Sequence, residues 1–113
     1  MTSPGPFGNL SPVASYHLIT CIVERDKAKG VVDAVLQAGA QAATTFYARG
    51  RGVREKLGML GMLIQPEKEI ILVVTTAEQK QAIFDSLVSA AELDKPGKGF
   101  AFVQPVEQAV GFL

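Results

Sequence analysis

The chain has few of the residue types on which metal sites and disulfides depend. Its 113 residues include one cysteine, one histidine and no tryptophan. A single thiol cannot form an intramolecular disulfide and offers no second sulfur to a metal, a pattern typical of a reducing compartment. We therefore expect a cytoplasmic protein without a structural metal.

The chain also has no excess of charge, because 11 lysine and arginine residues balance 11 aspartate and glutamate residues. Without a net positive field, nucleic acid is not expected as a partner. No segment approaches the roughly 18 to 20 apolar residues that cross a bilayer, and the start lacks the basic and apolar regions of a signal peptide. Hydrophobic residues make up 48% of the chain, enough for the core of one domain.

The order of predicted elements indicates the fold class. Residues 1–15 are rich in proline, glycine and serine and predict a disordered N-terminal tail, which leaves 16–113 as the domain. Apolar, β-branched runs predict strands at residues 16–24, 44–48, 69–75 and 100–103. Apolar residues at helical spacing predict two helices, one closed by Gly39 and one beginning near Thr76: Val31, Val32, Val35 and Leu36, then Ile83, Phe84, Leu87, Val88 and Ala91.

The resulting βαββαβ order favours an α+β, ferredoxin-like fold, with a four-stranded antiparallel sheet and both helices on one face. Several strands are apolar on both faces, so the face opposite the helices must also be covered. A homo-oligomer is the natural way to cover it.

Two short basic, glycine-rich loops adjoin the predicted strands. Residues 49–54, Arg-Gly-Arg-Gly-Val-Arg, follow the second strand, and residues 96–99, Pro-Gly-Lys-Gly, lead into the last one. Such loops can present backbone N–H groups and a cation to a phosphate. Taken alone, they favour solvated arginines and ordinary turn glycines over a phosphate site.

Residues 39–52 and 96–107 resemble, without a gap, the corresponding segments of the PII signal-transduction family, and the resemblance covers nearly everything after Tyr16. It implies a homotrimer that binds an adenine nucleotide in the cleft between subunits and performs no catalysis. Thr44 is then expected beside the adenine and the backbone of Val73 against the base. The phosphates and ribose are assigned to seven residues: Gly50, Arg51, Gly52, Pro96, Gly97, Lys98 and Gly99.

Departures from the family pattern concern the outer phosphates. Phe100 replaces a basic residue, Gly111 and Leu113 align with two tail arginines, and Glu67 aligns with a lysine. About four positive charges are therefore absent, and Lys98 restores one. Because each charge-assisted contact contributes roughly 1.5 to 3 kcal/mol, AMP, ADP or cyclic AMP is expected in preference to ATP.

Residues 50–66 correspond to the loop with which PII proteins engage their partners, but the loop is shorter and has no tyrosine to be nucleotidylated. Its Gly-Met-Leu repeats suit an adaptable protein-binding surface; alternatively, they extend the adjoining strands and pack within the oligomer. The resemblance implies an unidentified partner, such as a transporter, an enzyme or a carboxysome-related protein, and bicarbonate as a second effector. The residues expected to touch the partner are Arg54, Leu57, Met59, Leu60 and Met62.

Two other readings remain open. Glu67 and Glu69 lie on one strand face and could act as acid and base, although no nucleophile or metal set accompanies them, so solvated charges are the preferred interpretation. The chain could also be a nucleotide-independent trimeric interaction module that has lost its ligand. His17 and Cys21 share one strand face and are expected to pack rather than to react.

Overall fold

The computed structural model describes residues 15–50 and 67–111. Six elements follow one another along the chain: β1 (Tyr16–Glu24), α1 (Ala28–Gln37), β2 (Thr44–Arg49), β3 (Glu67–Thr76), α2 (Lys80–Ala90) and β4 (Gly99–Val106). The strands form one four-stranded sheet in the order β2-β3-β1-β4, and every neighbouring pair is antiparallel. The ferredoxin-like prediction is confirmed.

The core lies between the two helices and one face of the sheet. Odd-numbered residues are buried from Ile19 onwards in β1 and from Glu69 onwards in β3, because successive strand side chains alternate between faces. They meet the apolar stripes of the helices in one cluster. Its largest fully buried members are Ile19, Val23, Val31, Val35, Ile71, Val73, Ile83 and Leu87. Leu36, predicted to join this cluster, is 42% exposed.

Helix α1 ends as the sequence predicts. Gly39 has a φ of 115°, and its N–H donates to the carbonyl of Leu36 while the N–H of Ala40 donates to that of Val35. This pair of hydrogen bonds is a Schellman motif, in which the left-handed residue is usually glycine.

The start of α2 differs from the prediction. Thr76 is the last residue of β3, and the helix begins at Lys80, four residues later than expected. The Thr76 hydroxyl still accepts a hydrogen bond from the N–H of Gln79, at 3.3 Å. The polar residue that looked like a cap therefore closes the connecting turn, one step before the helix.

The sheet face away from the helices is apolar and uncovered in the single chain. It carries the even-numbered residues of the strands, and three aromatic rings on it are exposed: Phe46 (47%), Phe100 (64%) and Phe102 (39%). Phe100 and Phe102 contact each other with ring centroids 6.0 Å apart. The prediction that strands are apolar on both faces is thus confirmed.

Two features mark the end of the sheet at which β1 begins and β3 ends. Ser15, assigned to the tail by composition, accepts a hydrogen bond from the N–H of Ala77. His17 and Thr75 are opposite each other on the helix-facing side, and among the described residues the Nδ1 of His17 and the Oγ1 of Thr75 are buried without a hydrogen-bond partner. Helices α1 and α2 have 10 and 11 residues, and neither of these described helices has the length and hydropathy of a membrane-spanning segment.

Candidate functional site

The two predicted phosphate loops begin at the same end of the sheet but on its opposite edges. Gly50 directly follows β2, and Gly99 is the first residue of β4. Strands β3 and β1 lie between them, so at about 4.8 Å per strand the edges are about 14 Å apart. The residues at which the two loops meet the sheet are therefore not adjacent within one chain.

The turn at residues 96–99 has the backbone shape that its glycines predict. Gly97 has a φ of 80° and Gly99 a φ of 150°, both in the region that disfavours side chains. A Cβ at Gly99 would overlap the backbone carbonyl of Ile22, whereas a Cβ at Gly97 would meet nothing within 4 Å. Gly99 is thus required by strand pairing, and Gly97 by its dihedral angle alone.

Side chains and backbone in this turn are accessible. Pro96, Gly97 and Gly99 are exposed, and Lys98 is half-buried. A ligand can therefore approach both the lysine and the backbone of the turn.

The two residues predicted to hold the base lie next to each other in the sheet register. Thr44 opens β2, is exposed, and is opposite Leu72 of β3. Val73 follows Leu72 and has a fully buried side chain, so only its backbone can take part in binding. Strand β3 continues to Thr76 beyond this last pair with β2, which leaves that edge of its backbone unpaired by β2.

The predicted partner-binding residues and part of the first phosphate loop lie outside the described residues. These are Arg51, Gly52, Arg54, Leu57, Met59, Leu60 and Met62. Their roles stay predictions.

Glu69 is buried, and the interpretation of this residue as a solvated charge is wrong. Only 8% of it is exposed, and its Oε1 accepts hydrogen bonds from the N–H of Asp26 at 2.6 Å and of Ala28 at 3.4 Å. Helix α1 has no capping side chain of its own. A carboxylate from β3 therefore caps it, where the positive end of the helix dipole favours negative charge.

Sequence reasoning missed this cap because the partners are 43 and 41 positions apart. The local sequence gives only a weak signal for this cap. Asp26, two residues before the helix, adopts a left-handed φ of 72°, a conformation that aspartate tolerates better than most residues. The finding places Glu69 in a structural role at the end of the sheet that also carries the candidate loops.

An arginine and a tyrosine form a second contact at this end. The guanidinium carbon of Arg25 lies 5.5 Å from the ring centroid of Tyr47, a cation–π distance. Tyr47 is 66% exposed, since the helices do not cover β2. The contact links β2 to the segment between β1 and α1, next to the Glu69 cap.

A small cleft of about 90 Å³ lies beside Lys98. Its charged walls are Glu24, Lys27, Glu92 and Lys98. The carboxylate of Glu92 accepts a hydrogen bond from the Nζ of Lys95 at 2.6 Å. This bond, and then the charges of Lys95, Lys98 and Lys27, lower the pKa of Glu92 below its ordinary value.

At four positions the family resemblance expects a basic residue that this chain does not have. The three of them that the structure describes are exposed or half-buried. Phe100 is 64% exposed, and Glu67 is half-buried at the start of β3. Gly111 is exposed, and Leu113 lies outside the described residues. Within residues 15–50 and 67–111 no group of three His, Cys, Asp or Glu side chains is arranged to hold a metal.

Comparisons with known proteins agree with this architecture. Two relatives, each described as "nitrogen fixation nifHD region GlnB-like protein 1", match 81% of this chain and 89% of their own length. The protein from Methanobacterium ivanovii is 31% identical over 93 residues, and that from Methanothermococcus thermolithotrophicus 30% over 94.

Among solved structures, Arabidopsis thaliana PII bound to citrate superposes with a TM-score of 0.64. The match covers 85% of this chain and 81% of the plant chain at 22% identity, and so concerns the fold. The model of the family described as "Nitrogen regulatory protein P-II" matches residues 16–112. With this match over most of its length, the chain belongs to the nitrogen regulatory protein P-II family.

Proposed function

We propose that this chain is the subunit of a homotrimeric regulator that binds an adenine nucleotide between subunits. Residues 50–66 transmit occupancy of that site to a partner protein. The preferred ligands are AMP, ADP or cyclic AMP rather than ATP. The protein acts by binding and catalyses no reaction of its own.

The position of the two loops is the observation that carries this proposal. Gly50 and Gly99 begin at the same end of the sheet, on edges about 14 Å apart. A cleft between two chains brings the β2 edge of one subunit against the β4 edge of the next, so that both loops reach one ligand. Thr44 and the backbone of Val73 then receive the base, and Lys98 receives phosphate.

The uncovered face of the sheet supports the oligomer. Its exposed rings, Phe46, Phe100 and Phe102, form an apolar surface that a soluble chain rarely leaves in water. Packing three sheets against one another removes this surface from solvent. It also places the outer strands of neighbouring subunits close together.

The charges near the turn support a ligand with few phosphates. Lys98 is a cation of the turn, whereas Phe100 and Glu67 stand at positions where the family resemblance expects two further basic residues. Since each missing charge-assisted contact removes roughly 1.5 to 3 kcal/mol, the outer phosphates of ATP gain least from this site. Bicarbonate is the proposed second effector, and a transporter, enzyme or carboxysome-related protein is the proposed partner.

The Glu69 cap supports a route from the loop to the helices. Residues 50–66 end immediately before β3, and Glu69 is the third residue of that strand. Its hydrogen bonds to Asp26 and Ala28 connect the end of the loop to the start of α1. If a ligand orders residues 50–66, the change would therefore reach α1 through β3 and these hydrogen bonds, as in switches that depend on an order–disorder transition.

Titration calorimetry tests the proposal with ATP, ADP, AMP and cyclic AMP, each with and without bicarbonate, alongside sedimentation equilibrium. We expect a trimer mass and saturable binding of a mono- or diphosphate; ligand at about 100 times its Kd raises the free energy of unfolding by roughly 2.7 kcal/mol. Lys98→Gln should weaken binding about tenfold. Lys80→Gln, at the start of α2 and the opposite end of the sheet, should not change it. A trimer that binds none of the four nucleotides would contradict the proposal that the protein binds an adenine nucleotide.

A nucleotide-independent interaction module is the second candidate, and one observation favours it. Gly99 is needed to let β4 approach the carbonyl of Ile22, so its presence does not require a ligand. A trimer that captures its partner equally well with and without nucleotide would fit this candidate. The small-enzyme alternative is less favoured, because the carboxylate of Glu69 is occupied by two backbone N–H groups.

A further inference from the structure

Glu92 occupies a position where glycine is usual. It follows the last turn of α2 with a φ of 55°, and its N–H donates to the carbonyl of Ser89, while the N–H of Leu93 donates to that of Val88. Gly39 fills the equivalent position after α1. The fold therefore does not need a carboxylate here, and glycine would form the same motif with less strain.

The Glu92 carboxylate lies among three lysines, two from the connection between α2 and β4 and one from the residue before α1. Lys95 donates a hydrogen bond to it at 2.6 Å, and Lys98 and Lys27 are close enough to act on its charge. Lys98 belongs to the turn that the proposed function assigns to phosphate, and Lys27 precedes α1. All three lysines thus act electrostatically on one carboxylate.

The charged residues that line the cleft sum to zero, not counting Lys95, whose Nζ bonds the Glu92 carboxylate. Lys27 and Lys98 contribute two positive charges, and Glu24 and Glu92 contribute two negative ones. An incoming phosphate is attracted by the lysines and repelled by the carboxylates, and this repulsion grows with the number of phosphate charges. Removing the charge of Glu92 raises the net charge of this lining from 0 to +1 and leaves the charge of Lys95 without its carboxylate partner.

We infer that Glu92 is a specificity-determining residue that partly neutralises Lys98 and so disfavours ligands with more phosphate groups. The inference rests on the proposed function, since Lys98 must lie beside the phosphates. Glu92 then sets the order of affinities among AMP, ADP and ATP, in addition to the basic residues that the chain lacks.

Glu92→Gln is the matched variant, because glutamine keeps the shape, the backbone conformation and an acceptor for Lys95 while it removes the charge. Calorimetry should be run on the wild type, Glu92→Gln and the control Glu78→Gln, an exposed residue before α2 at the other end of the sheet. We expect Glu92→Gln to bind ATP about three- to fivefold more tightly and AMP less than twofold more tightly. The gain should shrink at 0.5 M salt and in the background of Lys98→Gln.

Pyrophosphate separates this inference from the proposed function. Its binding can be followed through the backbone amide NMR signals of Gly97 and Gly99 in the same variants. Tighter pyrophosphate binding by Glu92→Gln without any nucleotide binding would support the role of Glu92 and refute the nucleotide site. Equal gains for AMP and ATP, or no gain for nucleotides and pyrophosphate alike, would overturn the inference.

Discussion

Replacing Glu69 by alanine should destabilise the protein more than any other single change of a charged side chain in the described residues. Glu69 is only 8% exposed, and its carboxylate accepts one short hydrogen bond from Asp26 and one long bond from Ala28. The short charge-assisted bond contributes roughly 1.5 to 3 kcal/mol, and the charge near the helix N-terminus adds about 0.5 to 1 kcal/mol. We therefore expect Glu69→Ala to lower the free energy of unfolding by about 2 to 4 kcal/mol.

Glu69→Gln separates the charge from the hydrogen bond. Glutamine can still accept from Asp26, so we expect a loss of about 1 kcal/mol, chiefly from the charge. Urea unfolding followed by far-UV circular dichroism gives both values, at one fixed protein concentration because an oligomer's stability depends on it. The exposed Glu78→Ala is the control and should change stability by less than about 0.5 kcal/mol.

Two outcomes would refute this reasoning. If Glu69→Ala unfolds within about 0.5 kcal/mol of the Glu78→Ala control, the carboxylate does not cap α1 in solution. If Glu69→Gln costs as much as Glu69→Ala, the hydrogen bond contributes nothing and the charge accounts for the whole effect. A crystal structure of Glu69→Gln would then show whether the N–H of Asp26 has found water instead.

Three further predictions concern single positions. Gly99→Ala should cost at least about 3 kcal/mol in urea unfolding, because its Cβ would overlap the carbonyl of Ile22, while Gly97→Ala should cost only about 1 kcal/mol; equal losses would contradict this contrast. Thr75→Val should leave stability unchanged or raise it by about 1 kcal/mol, since it removes a buried hydroxyl without a partner; a clear loss on thermal unfolding would reveal a hydrogen bond to an internal water. Burial raises the pKa of the Cys21 thiol from 9.0 to about 11 and removes it from solvent, so at pH 8 a disulfide reagent should label the folded protein at least about 100-fold more slowly than the urea-unfolded protein. The unfolded chain releases this proton first, so stability should fall as the pH rises from about 9 to 11, and Cys21→Ala should remove that part of the pH dependence.

The sequence was sufficient to predict the fold because its signals are local and periodic. Alternating burial in β1 and β3 follows directly from their apolar residues, and Gly39 marks the end of α1 through its dihedral angle. The positions of the strands therefore agree with the prediction to within a few residues. The clearest discrepancy is the start of α2, which the sequence predicts near Thr76 and which lies at Lys80. The turn between these residues contains no strong sequence signal for the beginning of a helix.

The contacts that the sequence could not predict join distant parts of the chain. The carboxylate of Glu69 looks like a solvated strand residue until the start of α1 is placed beside it. The steric need for Gly99 likewise depends on Ile22, far away in sequence, and a glycine before a strand is equally compatible with a turn or a ligand loop. Periodicity identifies the face on which a residue lies, but it does not identify the backbone that a neighbouring segment will present.

The placement of the two loops on opposite edges of the sheet has a genetic consequence. In the proposed ring, each cleft takes its β2 edge from one subunit and its β4 edge from the next. A subunit defective only at Gly50 and a subunit defective only at Gly97 would each form rings with no intact cleft. When the two variants assemble together, every trimer that contains both has one interface at which an intact β2 edge meets an intact β4 edge. Two inactive alleles therefore restore one binding site in each mixed trimer.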